Sequence, residues 1–378
     1  MKVEVLKENL KTNIGIIERI VGKNLSLPIL QNVLITTDDN FLSLISTDLE
    51  ISIKVWMLVK IIKRGSVVVG AKFLSQFISS LPNEKITIEQ AQQDIHIGCA
   101  NIKTQIRGYN PEEFPLIPEF NTAEYVEVEG GKLLRGLSLV IDIASSVQSR
   151  PEISGIYFSF SKNSIKVVAT DSFRLGEKNI HLEEPLKNVK EKEYSFILPQ
   201  KSAREILNIL ENKEGLVRIY FSPNQVLFEF PSKDMARPQI QITSRLIEGE
   251  YPNYQDIIPT AFKTNVIVKR DEFLNQIKTA SLFSGKINEV KISIDKDKQE
   301  MEIFASSPDI GEHHSSIPIK AEGESMKISF NYKYLMDGLS HIKSSELMFN
   351  ISKEEGPCIL KPVGDSSYIY VAMPIKLM

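Results

Sequence analysis

The sequence contains few of the residues on which disulfide-rich or metal-binding scaffolds depend. Its 378 residues include two cysteines, Cys99 and Cys358, which lie far apart and lack metal-ligand spacing. This usage favours reduced, partly buried thiols in a cytosolic protein over a disulfide or a zinc site. We therefore predict neither a metal nor any other cofactor.

Long apolar runs are missing as well. The first ten residues are charged and alternating, without the apolar core of a signal peptide. The longest apolar run, from Val55 to Ile62, is interrupted by Lys60, whereas a membrane span needs about 20 apolar residues. We therefore expect a cytoplasmic protein that does not enter a membrane.

Signatures of catalysis are scarce. The stretch from Gly65 to Lys72 resembles a phosphate-binding loop, but it has one residue too many before the lysine and a strand-like interior. Neither a nucleophile elbow nor a zinc-protease helix motif occurs. His313 and His314 are adjacent, so on a strand they point to opposite faces and cannot chelate together. We predict a protein that is not an enzyme; an enzyme whose residues are scattered over loops is the remaining alternative.

A strong excess of charge of either sign is also absent. The formal net charge is −3, with 45 basic and 48 acidic residues. A protein that grips phosphates usually has a basic excess, so any nucleic-acid site must come from the distribution of charge. The length of the chain predicts two or three domains, each with its own core.

A pattern of elements that occurs three times, with a period of about 130 residues, is the most informative feature present. Each repeat begins with an amphipathic helix, such as the stripe of Leu10, Ile14, Ile17 and Val21. Alternating strands on both sides of a small polar turn follow, and then a second helix and more strands. The three turns are at 46–48, 169–171 and 306–309. Proline-containing segments at 108–115 and 249–254 are typical of linkers between the repeats. The pattern predicts an α+β protein with three similar domains at residues 1–121, 122–246 and 247–378.

The predicted helices differ in charge from the rest of the chain. They are residues 10–23, 72–81, 132–145, 200–210, 272–282 and 332–343. Together they contain eleven basic and five acidic residues, whereas the remainder contains 34 basic and 43 acidic residues. Basic residues often fill solvated helix faces. Alternatively, similar helices in three domains line one positive surface that contacts phosphates without reading sequence.

Several stretches of the sequence together resemble one known family. They are LSLPILQNVL (25–34), STDLEISIKV (46–55), YNPEEFPLIP (109–118), RPEISGIYF (150–158), VVATDSFRL (167–175) and VAMPIKL (371–377). In order and spacing they resemble the beta subunit of bacterial DNA polymerase III, the sliding-clamp family, over essentially the whole chain. The resemblance implies the DNA-clamp fold: three similar domains, each with two helices packed on antiparallel sheets, in a head-to-tail ring dimer. It also implies a non-catalytic function, in which the ring encircles duplex DNA and tethers the replicative polymerase, so that replication becomes processive.

The resemblance further implies a cleft in which the polymerase, the clamp loader and repair proteins insert short linear motifs. The residues carried over to this cleft are Ile153, Thr170, Phe173, Arg174, Leu175, Pro252, Asn331, Tyr334, Val371, Met373, Pro374 and Leu377. Aliphatic and methionine side chains suit an adaptable pocket, and Arg174 and Asn331 are expected to meet polar groups of the peptide. Two positions depart from the family pattern. Phe173 stands where many relatives have a histidine, and Asp256 stands where some relatives have a basic residue.

Contacts with DNA are predicted for five basic residues. Lys23 and Arg150 match channel positions of the family, and helix placement adds Lys72, Lys201 and Lys333. Any of these residues is alternatively a solvated surface side chain. A monomeric three-domain scaffold that binds peptides but not DNA is the main alternative to the ring. A species in solution with a mass near twice the 42.7 kDa subunit mass would support the ring, and a strict monomer would count against it.

Overall fold

The structure is a computed structural model, and it describes residues 1–22, 27–117, 120, 125–145, 147, 149–185 and 194–375. Its helices are α1 (Lys7–Glu18), α2 (Ala71–Ser80), α3 (Gly130–Ser138), α4 (Gln200–Leu210), α5 (Arg270–Ser281) and α6 (Tyr332–His341). The contacts divide the chain into two compact units. Unit 1 contains 1–134, 184–192 and 201–247, and unit 2 contains 135–183, 193–200 and 248–378.

The strands before α3 all belong to unit 1. They are β1 (Lys2–Leu6), β2 (Asn32–Asp38), β3 (Phe41–Thr47), β4 (Ile51–Leu58), β5 (Lys60–Lys63), β6 (Ser66–Gly70), β7 (Lys85–Ala91), β8 (Asp94–Cys99), β9 (Ile102–Ile106), β10 (Gly108–Tyr109) and β11 (Val126–Glu129). Between α3 and α5 the strands are β12 (Gly155–Ser161), β13 (Ser164–Thr170), β14 (Arg174–His181), β15 (Tyr194–Pro199), β16 (Leu216–Phe221), β17 (Gln225–Phe230), β18 (Ile240–Arg245) and β19 (Thr264–Lys269). The last strands are β20 (Glu289–Asp295), β21 (Glu300–Ser307), β22 (Gly311–Pro318), β23 (Lys320–Gly323), β24 (Met326–Asn331), β25 (Glu346–Ile351), β26 (Cys358–Pro362) and β27 (Tyr368–Ala372).

Each unit contains one nine-stranded antiparallel sheet. The order in unit 1 is β10-β6-β2-β3-β4-β18-β17-β16-β11, and the order in unit 2 is β15-β12-β13-β14-β27-β26-β25-β19-β23. In both sheets the last strand of one repeat pairs with the strand that follows the polar turn of the preceding repeat. We call the pairing of β4 with β18 the first join and the pairing of β14 with β27 the second join. Unit 1 also has the sheet β5-β1-β7-β8-β9, and unit 2 has β22-β21-β20-β24.

The helices pack on these sheets through the predicted apolar stripes. Leu10, Ile14 and Ile17 of α1 are almost completely buried, because residues three and four apart lie on one face of a helix. Near α4, the hydroxyl of Ser244 donates to the hydroxyl of Ser202, 2.7 Å away, and this buried pair satisfies two polar groups inside unit 1.

The predicted helices are confirmed with shifted ends, but two C-termini are wrong, and the helix predicted over 10–23 is α1 and ends at Glu18. α4 has the predicted bounds, whereas the helix predicted over 132–145 is α3 and ends at Ser138. Beyond Ser138 the N–H groups of Val140 and Ile143 bond to the carbonyl oxygens three residues earlier, so the chain tightens into turns. The apolar stripe continues through these turns, which is why periodicity alone extended the helix. The boundaries 1–121, 122–246 and 247–378 stay predictions.

Candidate functional site

The turn between β13 and β14 forms one wall of the candidate cleft. Oδ1 of Asp171 accepts the main-chain N–H groups of Phe173 and Arg174, each at 2.9 Å. The Thr170 hydroxyl donates to the carbonyl oxygen of Arg174 at 2.7 Å and accepts the N–H of Ser172 at 3.1 Å. Side chains that bond to nearby main-chain groups replace ladder hydrogen bonds in this way. The turn therefore holds its tip residues, Ser172 and Phe173, in fixed positions.

A cavity of about 500 Å³ lies beside this turn in unit 2. Its lining residues are Ser172, Phe173, Ile287, Asn331, Tyr334, Met373, Pro374 and Ile375. Five of the predicted cleft residues are therefore brought together around one cavity: Phe173, Asn331, Tyr334, Met373 and Pro374. A largely apolar concavity with a few polar groups is the usual form of a ligand site.

Other predicted cleft residues do not line this cavity. Leu175 and Val371 face each other across β14 and β27 and are almost fully buried. Ile153 is also buried, and the Thr170 hydroxyl is used within the turn. Pro252 is half-buried. Contact of these side chains with a peptide stays a prediction. Leu377 lies outside the described residues.

The two aromatic residues of the cavity lie against each other. The rings of Phe173 and Tyr334 are stacked, with centroids 6.2 Å apart and planes inclined by 18°. The guanidinium carbon of Arg174 lies 5.1 Å from the centroid of the Tyr334 ring, within cation–π distance. Behind them the Tyr370 hydroxyl donates to the carbonyl oxygen of Tyr334 at 2.7 Å. Tyr334 is thus held through both its ring and its main chain.

Arg174 is largely committed to protein groups. Its Nε donates to Asp171 at 2.9 Å, its Nη2 donates to the carbonyl oxygen of Asp142 at 3.1 Å, and its Nη1 pairs with Asp337. Burial opposes its charged form, but the Tyr370 hydroxyl and the Asp171 carboxylate outweigh burial and raise the pKa of Arg174 above its ordinary value. The charged guanidinium therefore organises the cleft wall, whereas the sequence predicted that it meets polar groups of a peptide, which stays a prediction.

The opposite wall is built from the start of α6 and the C-terminal segment. Oδ1 of Asn331 accepts the N–H of Lys333 at 3.0 Å and so caps α6. The N–H of Met373 donates to the carbonyl oxygen of Phe173 at 2.9 Å, and the N–H of Ile375 donates to Ser329 at 2.8 Å. The C-terminal segment is therefore fixed to both sides of the cavity by its main chain.

Sequence reasoning missed three lining residues: Ser172, Ile287 and Ile375. Ser172 and Ile375 lie inside the stretches that carried the family resemblance, next to residues that were selected. Ile287 follows α5 in a loop and has 64% of its surface exposed, which no sequence pattern indicates. A large exposed apolar side chain beside a cavity is a signal that only the structure provides.

The two departures from relatives have different surroundings. Phe173 lies at the mouth of the cavity and is 58% exposed. Asp256 lies in a short 3-10 turn and accepts a hydrogen bond from the Asn253 side chain at 2.7 Å. Phe173 therefore lines the cavity directly, while Asp256 is not among the lining residues.

The predicted DNA-contacting residues also differ in their surroundings. Lys72 and Lys333 are exposed, and within the described part of the chain neither forms an ion pair. Lys201 pairs with Asp48, and Nη1 of Arg150 donates to the Ser172 hydroxyl at 3.0 Å. Lys23 lies outside the described residues.

The observed helix bounds reduce the predicted charge asymmetry. The six helices contain ten basic and six acidic residues when their ends are those of the structure. The excess is still positive, but it is smaller than the excess counted with the predicted ends. A phosphate-facing surface therefore depends on individual lysines more than on the helices as a group.

The described residues contain no metal cluster and no membrane-spanning helix. No cluster of three or more histidine, cysteine, aspartate or glutamate side chains with metal-binding geometry occurs among them. Among the same residues, no helix has the length and apolar character needed to span a membrane.

Comparison with known families places the chain in one of them. Residues 1–118, 132–253 and 255–376 match the N-terminal, central and C-terminal domain models of the DNA polymerase III beta subunit. The chain belongs to this family, because its three domains occur in order over almost the whole length.

Relatives agree with this assignment. The beta sliding clamps of Bacillus subtilis and Synechococcus elongatus are 27% and 25% identical, and all of each chain is covered. The solved B. subtilis sliding clamp superposes with a TM-score of 0.92 at 27% identity, and the Thermotoga maritima beta subunit with 0.89 at 28%, each over the full length of both chains. A Pseudomonas aeruginosa clamp, solved with griselimycin bound, shares the fold with a TM-score of 0.92 at 22% identity over both full chains. The chain therefore has the three-domain DNA-clamp fold.

Proposed function

We propose that this sliding-clamp family member forms a head-to-tail homodimeric ring around duplex DNA and tethers the replicative polymerase through the cleft beside Phe173. The ring acts without catalysis, in the cytoplasm, where bacterial DNA is replicated. The clamp loader and repair proteins use the same cleft through short motifs. The observation that carries the proposal is the strand pairing of the two joins. The same two positions of the repeat also occur as β9 and β22, which have no such partner in the described sheets.

Two outer strands are the matching elements. β18 and β27 are the last strands of the second and third repeats, and β9 has the corresponding place in the first repeat, where only the two-residue β10 follows it. β4 and β14 follow the polar turns of the first two repeats, and β22 follows the turn of the third. In the described sheets, β9 and β22 are outer strands with one unpaired edge each. Pairing β9 of one copy with β22 of another repeats the internal joins and, applied twice, closes a dimer.

Exposed apolar side chains support this pairing. Leu282 is 68% exposed and Ile310 is 63% exposed, and both lie on the β22 side of the proposed contact. Phe73 at the start of α2 is 57% exposed on the other side. At the first join the corresponding helix position is Ser202, which is buried. Exposed apolar groups beside an unpaired strand edge favour burial of that edge against a second copy.

The dimer is tested by placing a charge in the proposed contact. Leu282→Asp and Ile310→Asp should each lower the mass measured by sedimentation from twice the 42.7 kDa subunit mass to the subunit mass. Leu58→Asp is the matched control, because Leu58 is 52% exposed on β4 and should leave the dimer intact. A wild-type chain that sediments as a monomer would refute the ring and favour the peptide-binding scaffold.

Encirclement is tested by topology. Rings loaded by the clamp loader should remain on closed circular DNA and leave by sliding after linearisation, because a ring holds DNA without a tight contact. Equal retention on both forms would contradict encirclement and indicate ordinary electrostatic binding.

Partner binding is tested at the C-terminal segment. Deleting residues 373–378 should abolish binding of the polymerase's clamp-binding segment. Met373→Ala, which keeps the main chain of this segment, should weaken the binding. Sedimentation of both variants should still give the dimer mass. Undiminished peptide affinity in both variants would show that the peptide does not bind in this cleft, and it would not bear on the proposed ring.

A further inference from the structure

The polar turns at the two joins have the same internal structure. In each turn Oδ1 of an aspartate, Asp48 or Asp171, accepts the main-chain N–H groups two and three residues later. The next residue has a left-handed backbone in both turns, with φ of 77° at Leu49 and 78° at Ser172. Because the main chains of the two turns match in these respects, the difference between the turns lies in their side chains and the partners of those side chains.

The first join is held by two ion pairs. The second carboxylate oxygen of Asp48 pairs with Lys201, the second residue of α4. Nε of Arg19, which follows α1, lies 2.8 Å from Glu205, the sixth residue of α4. One acid of the turn and one acid of the helix thus each have a basic partner on the opposite side of the join.

The second join has the same helix charges but different partners. Lys333 and Asp337 are the second and sixth residues of α6. Asp142 lies nine residues after Leu133, as the arginine of the first join lies nine residues after Leu10. That arginine is therefore replaced by an acid, and the Asp142 carboxylate lies 4.0 Å from Nε2 of His341 in α6.

Arg174 provides the positive charge that pairs with Asp337, and it changes the pairing at the second join. It takes the place that Ile51 occupies at the end of the first turn, and it binds both Asp171 and Asp337. Asp171 therefore directs its second oxygen to Arg174, and within the described chain Lys333 has no carboxylate at ion-pair distance. The cavity lies between the turn and the start of α6, at the place where the first join has its lysine–aspartate contact.

We propose that Arg174 is a positioning residue that keeps the cleft open, because it occupies Asp171 and Asp337 and so prevents Asp171 from closing the cleft on Lys333. The inference rests on the proposed function of the cleft, since it explains why one join accepts a peptide and the other is shut. It assigns to Arg174 an indirect action on the peptide, exerted through the conformation of the turn and α6.

The expected size of the effect follows from the population of open clefts. Apparent affinity falls in proportion to the fraction of molecules in the binding-competent state. If Arg174→Ile lets Asp171 pair with Lys333 in most molecules, peptide affinity should fall about tenfold. Removing the lysine as well should restore the affinity, although the arginine is still missing.

The test uses the full-length dimer and a labelled peptide with the clamp-binding segment of the replicative polymerase from the same cell. Arg174→Ile should bind about tenfold more weakly than the wild type, and Arg174→Ile with Lys333→Met should bind within about twofold of it. Lys333→Met alone should bind the peptide like the wild type in this assay, which contains no DNA, so that its predicted loss of DNA contact does not enter the measurement. The matched control is Arg174→Ile with Lys278→Met, which changes an α5 lysine outside the join and should not rescue.

A second measurement separates the inference from the function of the cleft. A cysteine in place of Ile287, which lines the cavity, should react with a thiol reagent severalfold more slowly in the Arg174→Ile background and at the original rate after Lys333→Met. Arg174→Lys, which keeps a cation but cannot bridge both acids, should give the same pattern in a weaker form if Arg174→Ile fails to fold.

Failure of Lys333→Met to restore either readout would overturn the inference and would mean that Arg174 contacts the peptide or only stabilises the fold. Wild-type protein that binds no peptide but shows the labelling pattern would refute the proposed partner function and leave the inference standing.

Discussion

The ring of Phe173 is stacked on the ring of Tyr334 at the mouth of the cavity, with 6.2 Å between centroids. Phe173 contributes apolar surface there, and its ring has no nitrogen that could hydrogen-bond to a peptide. The aromatic pair therefore couples the turn before β14 to the start of α6. A change at either ring therefore alters a contact between the two walls of the cleft.

Phe173→Ala should weaken binding of the polymerase segment by about twofold to tenfold, because the cavity loses an apolar ring that stacking on Tyr334, worth about 0.5–1.5 kcal/mol beyond buried area, holds in place. Fluorescence anisotropy of a labelled peptide measures the change. Leu116→Ala is the control, since Leu116 is 98% exposed in unit 1 and should leave affinity and stability unchanged. Equal affinity of Phe173→Ala and the wild type would show that the ring does not contribute to the peptide site.

The basic residues predicted to contact DNA should divide into two groups. Lys72→Ala and Lys333→Ala should weaken DNA contact by loaded rings and lower the salt dependence by about one counterion each. Lys201→Ala should have a smaller effect, because the Lys201 ammonium is paired with Asp48. Binding measured over a range of salt concentrations distinguishes the two groups. A Lys201 effect as large as that of Lys72 would mean that the ion pair does not withhold this charge from DNA.

Sequence reasoning predicted the repeated fold better than it predicted the cleft. The helices followed from stripes such as Leu10, Ile14 and Ile17, because burial of one helix face imposes its period on the sequence. The end of α3 at Ser138 did not follow, since the turns after it bury the same kinds of side chains. Periodicity reports which residues are buried and is insensitive to whether the last turn is helical.

The cleft was only partly predictable because its lining depends on contacts between distant segments. Phe173 and Met373 were selected by resemblance, and they do line the cavity. Leu175 and Val371 were selected in the same way, yet each is buried in the pairing of β14 with β27. The partners of Arg174 come from three different segments, so no local pattern reveals that its guanidinium is occupied.

Two helical glycines should respond in opposite ways to alanine. A Cβ at Gly338 in α6 would lie 2.6 Å from Cδ1 of Tyr370, whose hydroxyl supports the cleft through Tyr334. Gly338→Ala should therefore lower the free energy of unfolding by about 1–3 kcal/mol, because overpacking displaces core side chains. Gly15→Ala in α1 is the control, since nothing lies within 4 Å of the added Cβ. It should raise the free energy of unfolding by about 0.5–1 kcal/mol through helix propensity. Chemical denaturation measures both, and similar signs for the two variants would refute the packing argument.

Cys358 should be chemically inert in the folded protein. The side chain is 1% exposed, and burial raises the pKa of its thiol far above the ordinary value. Only the thiolate is nucleophilic, so alkylation at pH 8 should require unfolding, whereas a cysteine placed at Leu116 should react at once.

Because the folded pKa is the higher one, the stability that this thiol contributes is present below the unfolded pKa of about 8.5. It is lost as the pH rises above that value, since the unfolded chain then ionises the thiol while the folded chain does not. Mass spectrometry after timed alkylation checks the first expectation. Rapid modification of Cys358 in native protein would mean that β26 opens locally far more often than its burial implies.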